Sequence, residues 1–210
     1  MKIAILYGGR SAEHEVSRVS AYYIARELIP SHKVFLIGIT NDGHWYLQPE
    51  AVNENCLDTD APLELRTDAP RVLVEPGKGF IAVGTSGIIS LAIDVVLPVL
   101  HGTFGEDGTV QGLLACAGLP YVGCDVYGSA IGMDKAFAKI IWQHAGLPVV
   151  PFLEIRSAEL DDETMRKLVD SIEDSFRFPV IVKPCRAGSS VGIKKAENAE
   201  IGRASCRERV

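Results

Sequence analysis

The chain has 210 residues, 47% of them hydrophobic and 23% charged, a composition that fits one large or two small globular domains and excludes disordered and fibrous classes. Its formal charge of -6 and pI near 5.4 argue against a general nucleic-acid binder, which needs a positive field to replace counterions along the phosphate backbone. No apolar run approaches the roughly 20 residues of a membrane span, and the N-terminus lacks a basic leader with a small-residue cleavage site, so a soluble, cytoplasmic protein is predicted.

Strand-length apolar runs alternate with segments of helical period, the pattern of a mainly parallel sheet with covering helices. "KIAILYGG" reads as the first strand, "SRVSAYYIAREL" as a helix and "KVFLIGIT" as the next strand. "NDGHWYL" carries a turn signal and predicts a hairpin. Residues 48–80, rich in Asp, Pro and Glu, have weak periodicity and read as a surface insertion without assigned chemistry. "IDVVLPVLHG" predicts a central strand buried on both faces, followed by a glycine-rich loop and the helix "GTVQGLLACAGL".

Further on, "SAIGMDKAFAKIIWQHAGL" predicts one helix with Ile131, Phe137, Ile140 and Ile141 on one face and Gly146 as its stop. "VVPFLEI" predicts a strand, and "SAELDDETMRKLVDSIEDSF" an amphipathic helix capped by Ser157. "FPVIVKP" predicts a last buried strand, with "VGIKKA" strand-like beyond it. A boundary near residue 130 is expected, dividing a doubly wound α/β half from a smaller α+β half. Cys56, Cys116, Cys124, Cys185 and Cys206 form no CxxC pair and no zinc-spaced cluster, and are predicted to be free thiols in a reducing compartment.

Three places carry candidate chemistry. In "YGGRSAEHEVS", Glu13 lies at the start of a helix at a strand's carboxyl edge, where it would repel a phosphate and favour an ammonium group. The alternative is that Glu13 or Glu15 caps the helix. In "LHGTFGEDGTVQG", His101 follows a buried strand and either orients a substrate or serves as a hydrogen-bonded structural residue. Glu106 and Asp107 are expected to serve the turn and the cap of the next helix.

Lys183, leaving "VIVKP", precedes "AGSSVG", whose small residues can expose backbone N–H groups as an anion-binding nest to which Ser189 and Ser190 add hydroxyls. A hairpin turn is the alternative. The spacing is not that of a Walker A loop. Lys135, a helical lysine, says nothing taken alone.

These strings in this order, "GGRSAEHEVS", "LPVLHGTFGEDGTVQG", "GLPYVGCDVYGSAIGMDK" and "VKPCRAGSSVG", resemble the D-alanine–D-alanine ligases of the ATP-grasp superfamily over residues 1 to about 199. The resemblance implies a substrate-binding α/β domain over 1–130 and the first α+β lobe of an ATP-grasp fold over 131–199. It implies an ATP-dependent ligase that joins two D-alanines through an acylphosphate for peptidoglycan synthesis. D-alanine–D-serine ligase, D-alanine–D-lactate ligase and a non-catalytic ligand-binding fragment are the alternatives.

By motif position, Glu13 would hold the ammonium of the first D-alanine, with His101 beside it. Lys135 and Lys183 would meet the ATP phosphates, and the loop Gly188, Ser189, Ser190 and Val191 would cover them, Ser189 linking it to the substrate. Magnesium or manganese is implied on ligands of a further lobe outside this chain, as is a homodimer. Residues 200–210 depart from the family's pattern: "IGRASCRERV" has no apolar period and reads as translated sequencing adapter (ATCGGAAGAGC gives Ile-Gly-Arg), a non-native tail, with a real basic C-terminal tail as the alternative.

Overall fold

The computed structural model describes residues 1–50, 61–85, 87–155, 161–199 and 201. The chain divides into two compact units, Met1–Gly132 and Met133–Val210.

The first unit is built on a seven-stranded sheet of order β6-β5-β4-β3-β2-β1-β7. The strands are β1 (Lys2–Gly8), β2 (Lys33–Ile39), β3 (Trp45–Leu47), β4 (Arg71–Glu75), β5 (Gly79–Gly84), β6 (Gly87–Leu91) and β7 (Val95–Pro98). β1 runs parallel to both β2 and β7, and its period-2 alternation sends Ala4 and Leu6 to one face and Ile3, Ile5 and Tyr7 to the other. Both faces are covered, so nearly the whole strand is apolar. Helix α1 (His14–Leu28) packs Ala21, Tyr22 and Ala25 against the Ile5 face, while α2 (Thr109–Cys116) packs Val110 and Leu114 against the Leu6 face.

The parallel centre of the α/β fold is as expected, and β2 turns into β3 through the expected hairpin, with Gly43 at φ 89°. Two other readings change. β7 is not central: it lies beyond β1 at the end of the sheet order, and among the described residues its outer side carries an isolated bridge from Val96 to Tyr121.

Residues 61–80 are not a surface insertion either. β4 and β5 extend the sheet antiparallel, Leu63 is buried in the α1-side core, and the Tyr7 hydroxyl donates to the Glu64 carbonyl. The signal was weak because β4 buries Val72 while its neighbours Arg71 and Leu73 are exposed.

Helix α3 (Val126–Met133) closes the first unit's sequence, and α4 (Lys135–His144) opens the second. The single helix expected here is thus two, broken at Asp134. That residue takes an extended conformation (ψ 107°) and caps α4 by accepting from the Ala136 and Phe137 N–H groups. Ile131, Phe137, Ile140 and Ile141 are all exposed. Gly146 stops α4 as expected: at φ 74° it donates to the Gln143 carbonyl while Leu147 N–H reaches Trp142, a Schellman closure.

No strand forms over the described residues 149–155. Helix α5 (Asp162–Ser175) is capped by Asp161, which accepts from Thr164 N–H at 2.7 Å, and not by Ser157, which lies outside the described residues. β8 (Val180–Val182) pairs antiparallel with β9 (Lys194–Ala196), yet Ile181 is 52% exposed, so the expected buried strand is a half-exposed hairpin arm. Apart from Ile201, the predicted tail lies outside the described residues.

Candidate functional site

The carboxyl ends of β1 and β7 bring two loops together. Ser17, buried on α1, accepts from the Gly8 N–H at 2.8 Å and donates to the Val99 carbonyl, tying helix, first strand and β7 to one hydroxyl. No motif or apolar period points to this role. Gly8 (φ 86°) has no room for a side chain, since a Cβ there would lie 2.4 Å from the Ile39 carbonyl oxygen. The backbone turns at that point to enter α1.

Glu13 occupies the N-cap position of α1 without a side-chain capping hydrogen bond, while Glu15, in the first turn, pairs with Arg18 at 2.8 Å. The Glu13 Oε2 approaches Gly102, where a Cβ would stand only 3.0 Å away. Gly102 (φ 65°) is thus a close-approach glycine that lets the Glu13 carboxylate stand against the loop after β7. His101, half-buried, places Nε2 3.4 Å from the Ser20 hydroxyl of α1. Glu13 and His101 therefore flank the same loop edge.

Glu106 accepts from the Gly102 N–H at 2.7 Å, and Asp107 accepts from Phe104 and Thr109 N–H groups, the turn and cap roles expected of them. Burial works to raise the Asp107 carboxyl, but hydrogen bonds from Thr109 and Phe104 outweigh it and hold the group below its ordinary range.

The second unit assembles the other candidates. Lys135, first residue of α4, donates its backbone N–H to the Cys185 carbonyl at 3.0 Å and its ammonium to the Ala187 carbonyl. Arg186 donates Nε to Asp134 at 2.9 Å. The start of α4 thus grips three consecutive loop residues, 185 to 187. Burial opposes ionisation of Asp134, yet the Arg186 hydrogen bond and the two helix N–H groups hold its carboxyl below the usual range. Burial, reinforced by the nearby Asp134 and Glu154 carboxylates, raises the Cys185 thiol.

Beyond the grip, Gly188 accepts from Val191 N–H and Ser190 from Ile193 N–H, forming two successive turns. Ser189 and Ser190 both lie in the left-handed region, at φ 44° and 61°, a costly conformation for residues with a Cβ. The Val191 N–H, one donor the sequence offers to an anion, is occupied by this turn. Lys183 is exposed just after β8 and makes no hydrogen bond or ion pair to any described residue. Asp134 and Arg186 escaped the sequence reading because they are 52 positions apart.

Among the described residues no three His, Cys, Asp or Glu side chains gather as a metal site. Among the described residues no helix is long and apolar enough to cross a membrane, and Cys116, Cys124 and Cys185 are free thiols.

Solved structures share this fold. The D-alanine-D-alanine ligase from Coxiella burnetii superposes with a TM-score of 0.82 at 28% identity, over 99% of this chain and 60% of that one. The VanG D-Ala:D-Ser ligase from Enterococcus faecalis gives 0.80 at 34%, over 98% and 58%. The class is that of α/β ligases with an ATP-grasp fold. A family model described as D-ala D-ala ligase N-terminus matches residues 2–124, and one described as D-ala D-ala ligase C-terminus matches 141–208; the chain belongs to the D-alanine–D-alanine ligase family. It is similar to D-alanine–D-alanine ligases from Treponema denticola, at 46% identity over 94% of this chain and 55% of that one, and Acetivibrio thermocellus, at 40% over 94% and 55%. The chain spans about half the length of these curated relatives.

Proposed function

We propose that this chain supplies the first substrate site and part of the nucleotide site of a ligase that joins two D-alanines at the expense of ATP. The reading rests on family membership and, above all, on the Glu13 carboxylate, whose Oε2 stands against the Gly102 loop. A carboxylate there suits an ammonium group.

In the proposed reaction the γ-phosphoryl group passes to the carboxylate of the first D-alanine, forming an acylphosphate. The amine of the second D-alanine then attacks the acyl carbon, its N–C bond forms, the C–O bond to phosphate breaks, and inorganic phosphate leaves. Glu13 anchors the first ammonium and His101 orients the same substrate. Lys135 and Lys183 neutralise the ATP phosphates under the Gly188–Val191 loop, with Ser189 reaching toward the substrate. Because Lys135 rests on the Ala187 carbonyl, binding phosphate requires it to exchange that partner. The product enters peptidoglycan, and the working protein is a cytoplasmic homodimer with its two domains dividing near residue 130.

The test is D-alanine-dependent phosphate release by the chain extended with the C-terminal portion its relatives carry. Glu13→Gln is expected to raise the requirement for the first D-alanine by about 10- to 100-fold, the worth of a hydrogen bond to a charged group, and to leave the ATP requirement unchanged. Phosphate release indifferent to D-alanine sinks the reading. The 210-residue chain alone is expected not to turn over and to bind ATP weakly or not at all, which calorimetry checks. The likeness to a D-Ala:D-Ser ligase supports D-serine as a second acceptor, with D-lactate the remaining variant; competition among D-alanine, D-serine and D-lactate in one assay separates them.

A further inference from the structure

The first unit holds a cavity of about 450 Å³ at the carboxyl ends of β1 and β2, within the size range of small-molecule sites and where open α/β sheets take ligands. It lies on the α2 side of the sheet: its walls are Ile39, Trp45, Leu100, Val110 and Leu113, of which Ile39, Leu100 and Val110 belong to the core opposite α1. Glu13 does not line it, whereas His101 does, so the cavity adjoins the edge proposed for the first D-alanine without containing the Glu13 carboxylate. No carboxylate lines it either, and its one fixed cation is Arg10.

Arg10 is the informative residue. Its guanidinium carbon stands 4.5 Å over the Phe104 ring, a stacking that orients the planar fork and leaves its N–H edge available. Arg10 makes no ion pair or hydrogen bond to any described residue. The platform beneath it is itself held at a cost: Phe104 sits at φ 65°, and the Asp107 carboxylate accepts its N–H at 2.8 Å. A non-glycine residue kept in that region by a dedicated hydrogen bond points to a placed side chain, not a casual loop.

We infer that this cavity binds a small organic monocarboxylate with an aromatic or branched apolar body, the carboxylate taken bidentately by Arg10 and the body seated against Trp45, Leu100 and Leu113. An apolar cavity with one unpaired, oriented guanidinium and no competing acid suits that chemistry: burial supplies affinity and the fork supplies selection for a planar anion. A zwitterionic amino acid fits poorly, since no acid lines the cavity to meet its ammonium group.

The experiment uses the 210-residue chain carrying Trp142→Phe, which leaves Trp45 as the single tryptophan and its emission as a reporter inside the cavity. The probes are 4-phenylbutyrate, the isosteric 4-phenylbutanamide and 4-phenylbutylamine. The acid is expected to shift Trp45 emission saturably, to bind at least about tenfold more tightly than the amide and to protect Cys116, an exposed thiol of the cavity wall, from alkylation read by peptide mass. Arg10→Gln, at an exposed position, should bring the acid down to the affinity of the amide and leave the amide unchanged; Arg10→Lys should fall between.

Excess D-alanine should not displace the acid. Equal binding of acid and amide, an acid affinity unchanged in Arg10→Gln, displacement by D-alanine, or no saturable response at all would each overturn the proposal.

Discussion

Asp134 shows how much one carboxylate can hold. It caps α4 through two backbone N–H groups and receives Arg186 from the loop, while Arg186 itself is largely exposed, so the pair is screened by solvent and the capping bonds carry most of the energy. Asp134→Ala is expected to cost about 1 kcal/mol near neutral pH. The folded carboxyl is held below its unfolded value, so this contribution is complete above the usual carboxylate pKa of about 4. It fades as pH falls through the lower folded value. Thermal melts should therefore separate wild type from Asp134→Ala at pH 7 and converge in acid; a gap that persists in acid would show that the charge is not what matters. Nothing in the hydrophobic period reveals such a cap, because Ile131 through Ile141 run across Asp134 without a change of phase, and the structural cause is an extended backbone at one residue.

At the scale of elements, two glycines make opposite cases. Gly8 ends β1 in a left-handed conformation with a carbonyl where its Cβ would go, whereas Gly112 lies inside α2 with nothing within 4 Å. Gly8→Ala is expected to destabilise by about 3 kcal/mol, and Gly112→Ala to stabilise by about 0.5–1 kcal/mol. Urea titrations of both variants check the pair, and a neutral Gly8→Ala would mean that the β1–α1 turn can relax. The elements legible in the sequence, β1, α1, β2 and α2, are those whose apolar period matches one geometry along their whole length. β4 was hidden because it buries a single face beside charged neighbours. "VVPFLEI" misled in the other direction: its apolar residues suit a strand, but among the described residues no partner strand is present to make one, and pairing, not composition, defines a strand. Of the candidate site, Glu13 was legible because it stands beside a glycine turn at a strand end. Arg10, Ser17 and Arg186 were not, because their roles depend on partners distant in sequence or on a cavity.

Across the whole molecule the buried residues are unevenly shared. Both core clusters lie entirely in the first unit, while the described part of the second buries Ala136, Ala138, Met165, Val169 and Ala196 and leaves Trp142, Leu147, Val150 and Leu153 exposed. Opening free energies follow buried apolar contact. Hydrogen exchange should therefore find the slowest amides in β1 and β2 and markedly faster exchange through α4 and α5; equal protection in both units would contradict the sparse second core. The break at Asp134 adds a rule for recombination among homologous genes. Asp134 and Arg186 form one heritable pair although 52 positions separate them, so a crossover just before Asp134 passes the pair on intact. One falling between the two can match a cap from one parent with a loop shaped for another, and recombinants of that kind should be depleted from shuffled libraries.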